Sequence, residues 1–252
     1  MKKYLVIGNP IEHSLSPLIH NYWMKKHRLF GSIYEKRKVE EKDLKNIIKE
    51  IKDDEIVGVN VTVPFKKLII PFLDELDPVA EKTESVNTLF RVKNKVIGYN
   101  TDRPGFSLTM RELFPPSSDS MMPTTLQGKN ILILGAGGVT SSVIDTLEHE
   151  NAKIFLSNRT KKKSEELKKK YAEIEVLDWG KRPLVCDIVI NTTSIGLTKD
   201  EKINLDFSDC QGDKNKLFYD LIYNPKETNF LKEAKLRGNK IMNGQRMFLN
   251  QA

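Results

Sequence analysis

The stretch Asn130-Ile131-Leu132-Ile133-Leu134-Gly135-Ala136-Gly137-Gly138 limits what this chain can fold into more than any other segment. An unbroken aliphatic run reads as a strand buried on both faces, as in parallel sheets. The glycines behind it allow a tight turn, and residues 139–150 then read as a helix. Lys153-Ile154-Phe155-Leu156-Ser157 is a second strand, and residues 187–191 and 217–221 are two more. Strand, glycine turn, helix, strand is how a doubly wound nucleotide-binding sheet begins.

Gly135, Ala136, Gly137, Gly138 and Val139 therefore stand where free N–H groups at a helix N-terminus can meet a pyrophosphate. The third glycine of the usual motif is replaced by Thr140, although the small residues Thr140, Ser141 and Ser142 still permit close helix–sheet packing. A turn with no ligand would read the same way. The end of the second strand adds a separate signal. NAD-binding folds place Asp or Glu there for the ribose 2′-hydroxyl; this chain has Asn158-Arg159-Thr160, followed by Lys161 and Lys162. A guanidinium binds a 2′-phosphate that a carboxylate would repel, so the pattern points to NADP over NAD. The competing explanation is a helix cap at Thr160 beside a solvated Arg159.

The first hundred residues also alternate strands and helices, which predicts a mostly parallel α/β sheet. Residues 4–7, 33–39 and 57–63 read as strands, and 18–27 and 41–52 as helices. Thr88–Val92 and Lys95–Tyr99 read as a hairpin across Lys93-Asn94. Residues 105–114 read as a helix and 114–125 as a Pro/Ser/Thr-rich surface loop, so the domain change is expected near 101–104. Polar residues gather at the ends of the apolar runs: Ser14 and Ser16, then Asn60, Thr62 and Lys66, then Asn87, then Asp102. Lys66 and Asp102 are the only charged members. A lysine held by a carboxylate can donate a proton to a carbonyl oxygen as hydride arrives at carbon, and can take it back in reverse. The serines, Thr62 and Asn87 suit a hydroxyl-rich substrate with a carboxylate. Each residue also has an ordinary explanation: a cap, a turn or a solvated loop.

The net charge of +7, from 41 basic and 34 acidic residues, could suit nucleic acid or a membrane surface. The lysines instead sit in mixed-sign runs such as Lys161–Lys170, which read as solvated helix faces, and no aromatic residues interleave to stack bases. The apolar run behind Met1 is too short for a signal sequence, and no stretch reaches bilayer length. Cys186 and Cys210 have neither metal-ligand nor disulfide spacing and read as reduced residues of a cytoplasmic protein.

Ser14-Leu15-Ser16-Pro17, Asn60-Val61-Thr62-Val63-Pro64-Phe65-Lys66, Val86-Asn87-Thr88, Asn100-Thr101-Asp102, the Gly135–Gly138 turn and Asn158-Arg159-Thr160 follow one another in a telling order. With Asn191-Thr192-Thr193-Ser194-Ile195-Gly196 and Asp220-Leu221-Ile222-Tyr223-Asn224-Pro225, the whole chain resembles the shikimate dehydrogenases. The resemblance implies NADP(H)-dependent, reversible reduction of 3-dehydroshikimate to shikimate in aromatic amino-acid biosynthesis. It implies a catalytic pair at Lys66 and Asp102. Shikimate would be held by Ser14, Ser16, Asn60, Thr62, Lys66, Asn87, Asp102, Tyr223 and Gln251. NADP would lie along Gly135, Ala136, Gly137, Gly138, Val139, Asn158, Arg159, Thr160, Lys161, Lys162, Lys163, Leu221 and Gly244, with no metal.

The implied architecture is an N-terminal α/β substrate domain, residues 1–103 with 241–252 returning to it, and a Rossmann-type doubly wound NADP domain, residues 104–240. The implied partner is one small molecule, with no nucleic acid and no membrane, for a monomer or homodimer. Two departures stand out. Ser141 occupies a position that is often basic in the family, and the family usually continues past the segment matching Gln251-Ala252 into a helix on the substrate domain. A loosened Gln251 would weaken substrate binding. Competing readings are a quinate/shikimate dehydrogenase using NAD, a non-catalytic NADP-binding sensor of shikimate, and a nucleic-acid binder.

Overall fold

The computed structural model describes residues 1–116, 126–198, 200–205 and 216–252. They form two compact units, residues 1–102 with Ala252 and residues 103–251. The loop expected at 114–125 lies outside the described residues from 117 onward, as does Cys210.

In the first unit the order is β1 (Lys2–Gly8), α1 (Ser16–Lys26), β2 (Ser32–Lys38), α2 (Leu44–Lys52), β3 (Gly58–Val61) and α3 (Phe65–Leu68). Then come β4 (Glu75–Leu76), α4 (Pro78–Thr83), β5 (Thr88–Val92) and β6 (Lys95–Tyr99). The sheet runs β2-β1-β3-β5-β6-β4. It is mixed: β1 is parallel to β2 and β3, while the β5–β6 hairpin enters antiparallel to β3. The hairpin has the expected bounds, and its turn places Lys93 at φ 55°. On α2, Leu44, Ile47, Ile48 and Ile51 are all buried, and each contributes about 1.5–3 kcal/mol of transfer free energy. They pack with Leu5 and Ile7 of β1, Val59 and Val61 of β3, and Leu89 of β5. Residues 41–43 form a separate 3₁₀ turn ahead of α2.

This topology puts several loops at one edge of the sheet. The C-terminal ends of β1 and β3, the start of β5 and the end of β6 coincide there, since Asn60 pairs with Thr88 and Thr88 with Tyr99. The segments after β1 and β3, the turn before β5 and the turn after β6 carry Ser14, Thr62, Lys66, Asn87 and Asp102. α5 (Asp102–Leu113) starts three residues earlier than expected. Pro104 lies in its first turn, where a missing N–H costs nothing.

The second unit continues with β7 (Asn130–Leu134), α6 (Thr140–His149), β8 (Lys153–Ser157), α7 (Lys161–Lys170), β9 (Glu175–Leu177) and β10 (Ile188–Asn191). It ends with β11 (Leu217–Asp220), α8 (Asn229–Leu236), β12 (Lys240–Met242) and α9 (Gln245–Gln251). The sheet order is β12-β11-β10-β7-β8-β9, and every pairing is parallel. Alternate residues of β7 feed two cores. Ile131 and Ile133 pack with Met110 of α5 and Val143 of α6, whereas Leu132 and Leu134 pack with Phe230 and Leu231 of α8. Helices on both faces explain why the strand reads as continuously apolar.

Residues 241–251 cluster with this second unit, which differs from their expected return to the first. The reason is physical: β12 is hydrogen-bonded to β11, and Met247 of α9 is buried in the second unit's core. Only Ala252 falls with the first unit. Among the described residues no helix is long and apolar enough to cross a membrane.

Candidate active site

Lys66 sits on α3, one residue after Phe65, whose buried ring anchors the turn. The Lys66 carbonyl accepts from the Val86 N–H at 2.8 Å, tying the helix to the segment that carries Asn87. Its ammonium donates to Asp102 Oδ2 at 2.5 Å, and the two side chains are 12% and 2% exposed. Asp102 is the first residue of α5, where the helix dipole favours a negative charge. Its other oxygen accepts from Asn87 Nδ2 at 3.1 Å. Residues 36 positions apart thus form one charged pair with both carboxylate oxygens engaged. A pair this buried depends on its mutual contact and on the Asn87 amide, because either charge alone would be poorly solvated.

Asn87 is nearly enclosed, and its Oδ1 accepts from the Thr101 N–H at 2.9 Å. Since that N–H can only donate, the Asn87 NH₂ must face Asp102. Asn60 spends both amide hydrogens inside the fold, on the Asn87 carbonyl at 3.2 Å and on Thr88 Oγ1 at 3.0 Å. Ser14 Oγ accepts from the Ser16 N–H at 3.3 Å, shaping the entry to α1. The hydroxyls of Ser16 and Thr62 have no hydrogen-bond partner among the described residues, and both side chains are half-buried. The first unit therefore brings Lys66, Asp102, Asn87 and Asn60 into direct contact and sets the two hydroxyls in adjoining loops at the same sheet edge.

The nucleotide motif is built as its residues require. Gly135 has φ 109°, and a Cβ there would meet Thr193 Cγ2 at 2.7 Å. Gly137 faces open space, and its N–H donates to Thr140 Oγ1 at 3.0 Å. Thr140, Ser141 and Ser142 are buried at the start of α6, so small residues do the packing that a third glycine would allow. Arg159 is exposed just past β8 and makes no ion pair among the described residues. Lys162 and Lys163 are exposed too, whereas Lys161 donates to Asp178 at 2.9 Å, which raises the ammonium above its usual range. An open glycine cradle at a helix N-terminus with an unpaired guanidinium beyond the next strand fits a 2′-phosphorylated dinucleotide. Asn158 donates to the Thr160 carbonyl at 2.8 Å and holds this turn.

Leu221 and Gly244 meet for a backbone reason. A Cβ on Gly244 would lie 1.9 Å from the Leu221 carbonyl oxygen, and the Gly244 N–H donates to the Ile222 carbonyl at 3.0 Å. Gly244→Ala is expected to destabilise the protein by about 3 kcal/mol, the upper end for overpacking, because backbone must move. Gly137→Ala, with open space at that point, should leave the melting temperature near that of the unmodified protein; thermal unfolding of both variants checks the contrast. Tyr223 and Gln251 belong to the second unit, with Tyr223 stacked on Phe248 at 4.4 Å.

Three residues had no assigned role in the sequence reading. Asp220 accepts from Asn191 Nδ2, the Ile222 N–H and Thr228 Oγ1 at 3.0, 3.0 and 2.6 Å. Burial pushes its carboxyl up to about 6, against those donors. It pins the turn that carries Leu221, and its only sequence signal is a carboxylate ending an apolar strand. Tyr34 of β2 donates to Asn60 Oδ1 at 2.6 Å, and Thr88 lies between Asn60 and Asn87. Both look like ordinary strand residues. Among the described residues no cluster of His, Cys, Asp and Glu could hold a metal ion.

Comparison with known proteins bears on both units. A family model described as the shikimate dehydrogenase substrate binding domain matches residues 6–89, and one described as shikimate / quinate 5-dehydrogenase matches residues 118–229. The chain is 48% identical over 252 residues to the NADP(+) shikimate dehydrogenase of Pelagibacter ubique, covering all of this chain and 90% of that protein. The crystal structure of the Aquifex aeolicus shikimate dehydrogenase superposes with a TM-score of 0.88 at 36% identity, covering 100% of this chain and 89% of that one. The Thermus thermophilus shikimate 5-dehydrogenase, solved with NADP(H) and shikimate, gives 0.83 at 29% identity, covering 100% and 90%.

Proposed function

This chain belongs to the shikimate dehydrogenase family, and from that premise we propose how its own residues carry the NADP-dependent, reversible reduction of 3-dehydroshikimate to shikimate. The observation that carries the reading is the Lys66–Asp102 pair, 2.5 Å apart and almost enclosed, at the sheet edge where the polar loops gather. Bound NADPH supplies the hydride, and NADP⁺ takes it up in reverse. Lys66 donates a proton to the substrate's carbonyl oxygen, and in the oxidative direction accepts it from the hydroxyl. Asp102 holds the ammonium in place. Ser14, Ser16, Thr62, Asn87, Tyr223 and Gln251 hold the substrate's hydroxyls and carboxylate.

The first unit is the substrate-binding domain in this reading and the second the NADP-binding domain. Gly135–Val139 receive the pyrophosphate, Asn158–Lys163 the adenosine end, and Leu221 and Gly244 line the remainder. The enzyme acts in the cytoplasm as a monomer or homodimer in this reading.

Coenzyme and substrate choice test the reading together. Initial rates with NADP⁺ and NAD⁺, each against shikimate and quinate, should be highest for NADP⁺ with shikimate. A preference for NAD⁺ with quinate would move the chain to the quinate/shikimate branch. Arg159→Ala should raise KM for NADP⁺ about tenfold or more while leaving the NAD⁺ rate almost unchanged, since one charge-assisted phosphate contact is worth roughly 1.5–3 kcal/mol. Equal effects on both coenzymes would remove Arg159 from the 2′-phosphate.

A further inference from the structure

The Asp102 carboxylate stands at the end of a one-way hydrogen-bond chain inside the first unit. Tyr34 Oη donates to Asn60 Oδ1 at 2.6 Å, Asn60 Nδ2 to Thr88 Oγ1 at 3.0 Å, and Thr88 Oγ1 to Asn87 Oδ1 at 3.2 Å. Asn87 Nδ2 then donates to Asp102 Oδ1 at 3.1 Å. The direction is forced. Asn60 Nδ2 also faces the Asn87 main-chain carbonyl, which can only accept, so Asn60 must turn its oxygen to Tyr34 and Tyr34 must donate. The Thr101 N–H, which can only donate, fixes the Asn87 amide in the same sense. The Thr88 hydroxyl joins these two amides: it accepts from the first and gives its single proton to the second.

The far end is anchored as firmly. Tyr34 is 4% exposed, and its main chain is clamped by the Asn21 amide, donating to the Tyr34 carbonyl at 2.8 Å and accepting from its N–H at 2.9 Å. The His20 ring stacks on it at 4.3 Å, and burial lowers that imidazole below its usual range, which favours the neutral ring. Hydrogen bonds that run head to tail polarise one another, so the negative charge on Asp102 is supported by every donor behind it.

We propose that Thr88 and Tyr34 are positioning residues for the reaction, holding Asn87 and through it Asp102 and the Lys66 ammonium in their working geometry. Asn60, with both amide hydrogens committed, belongs to this chain. The inference rests on the assignment of Lys66 and Asp102 as the reacting pair.

Thr88→Val keeps the side chain's shape and removes the hydroxyl. It should lower kcat for shikimate oxidation about tenfold, the kinetic equivalent of one net hydrogen bond, with KM for NADP⁺ within about twofold. Thr88→Ser keeps the hydroxyl and should recover most of the loss, and Tyr34→Phe should fall between. In the Asn87→Ala background, Thr88→Val should cost nothing further, because its effect passes through Asn87. The inference is overturned if Thr88→Val and Tyr34→Phe lower only the melting temperature and leave kcat unchanged. It is also overturned if serine fails to rescue, or if the Thr88 and Asn87 effects multiply. The unmodified enzyme separates the two levels. No turnover of shikimate there defeats the underlying reading, whereas normal turnover with an unaffected Thr88→Val variant defeats this inference alone.

Discussion

Lys66→Ala is expected to lower kcat by about 10²–10⁴-fold, the range of a general acid–base group, while shifting KM for shikimate by much less. The variant should still fold. Asp102 would keep the Asn87 amide on Oδ1 and the N-terminus of α5 beneath it, so its charge retains two supports when the ammonium is removed. A variant with near-normal kcat would take the proton-transfer role away from Lys66.

Asp102→Asn should be the more damaging change to the fold. It leaves the Lys66 ammonium, 12% exposed, facing an amide with no counter-charge, and breaking a buried pair from one side costs about 3–5 kcal/mol. The oxygen of the introduced amide can still accept from Asn87, but its NH₂ would then point at the ammonium, donor against donor. kcat should fall about 10²-fold or more, because the proton donor is no longer held in position. The pair is tested by a cycle: adding Lys66→Ala to Asp102→Asn should recover part of the lost stability. Strict additivity of the two stability losses would mean that the ion pair contributes little to the fold.

The sheet of the second unit was legible because parallel strands buried on both faces leave continuous apolar runs, as at 131–134 and 188–190. The hairpin over 88–99 was equally plain, with its bounds set by the Lys93-Asn94 turn. Short elements were not. β12 and α9 span only three and seven residues, too few for a period to show, and they are held by β11 and by burial of Met247. α4 spans only six residues, and its one sequence signal is Asp77 before Pro78, which caps it by accepting from the Val79 and Ala80 N–H groups at 3.1 and 3.0 Å. At the site, the charged pair could be named from residue types at the ends of strands. What orients it could not. Tyr34 lies 26 residues before Asn60, and nothing in a strand tyrosine says where its hydroxyl will point. Such a contact exists only once β2, β1 and β3 are laid side by side.

This chain turns shikimate over and does not merely bind it. The most direct measurement follows NADPH absorbance as 3-dehydroshikimate is reduced and as shikimate is oxidised, alongside thermal stabilisation by each ligand. Saturable turnover by the unmodified enzyme is expected in both directions, with Lys66→Ala still stabilised by NADP⁺ and shikimate and nearly inactive. Stabilisation of the unmodified protein by NADP⁺ and shikimate without any turnover would contradict the account and leave a ligand sensor in its place.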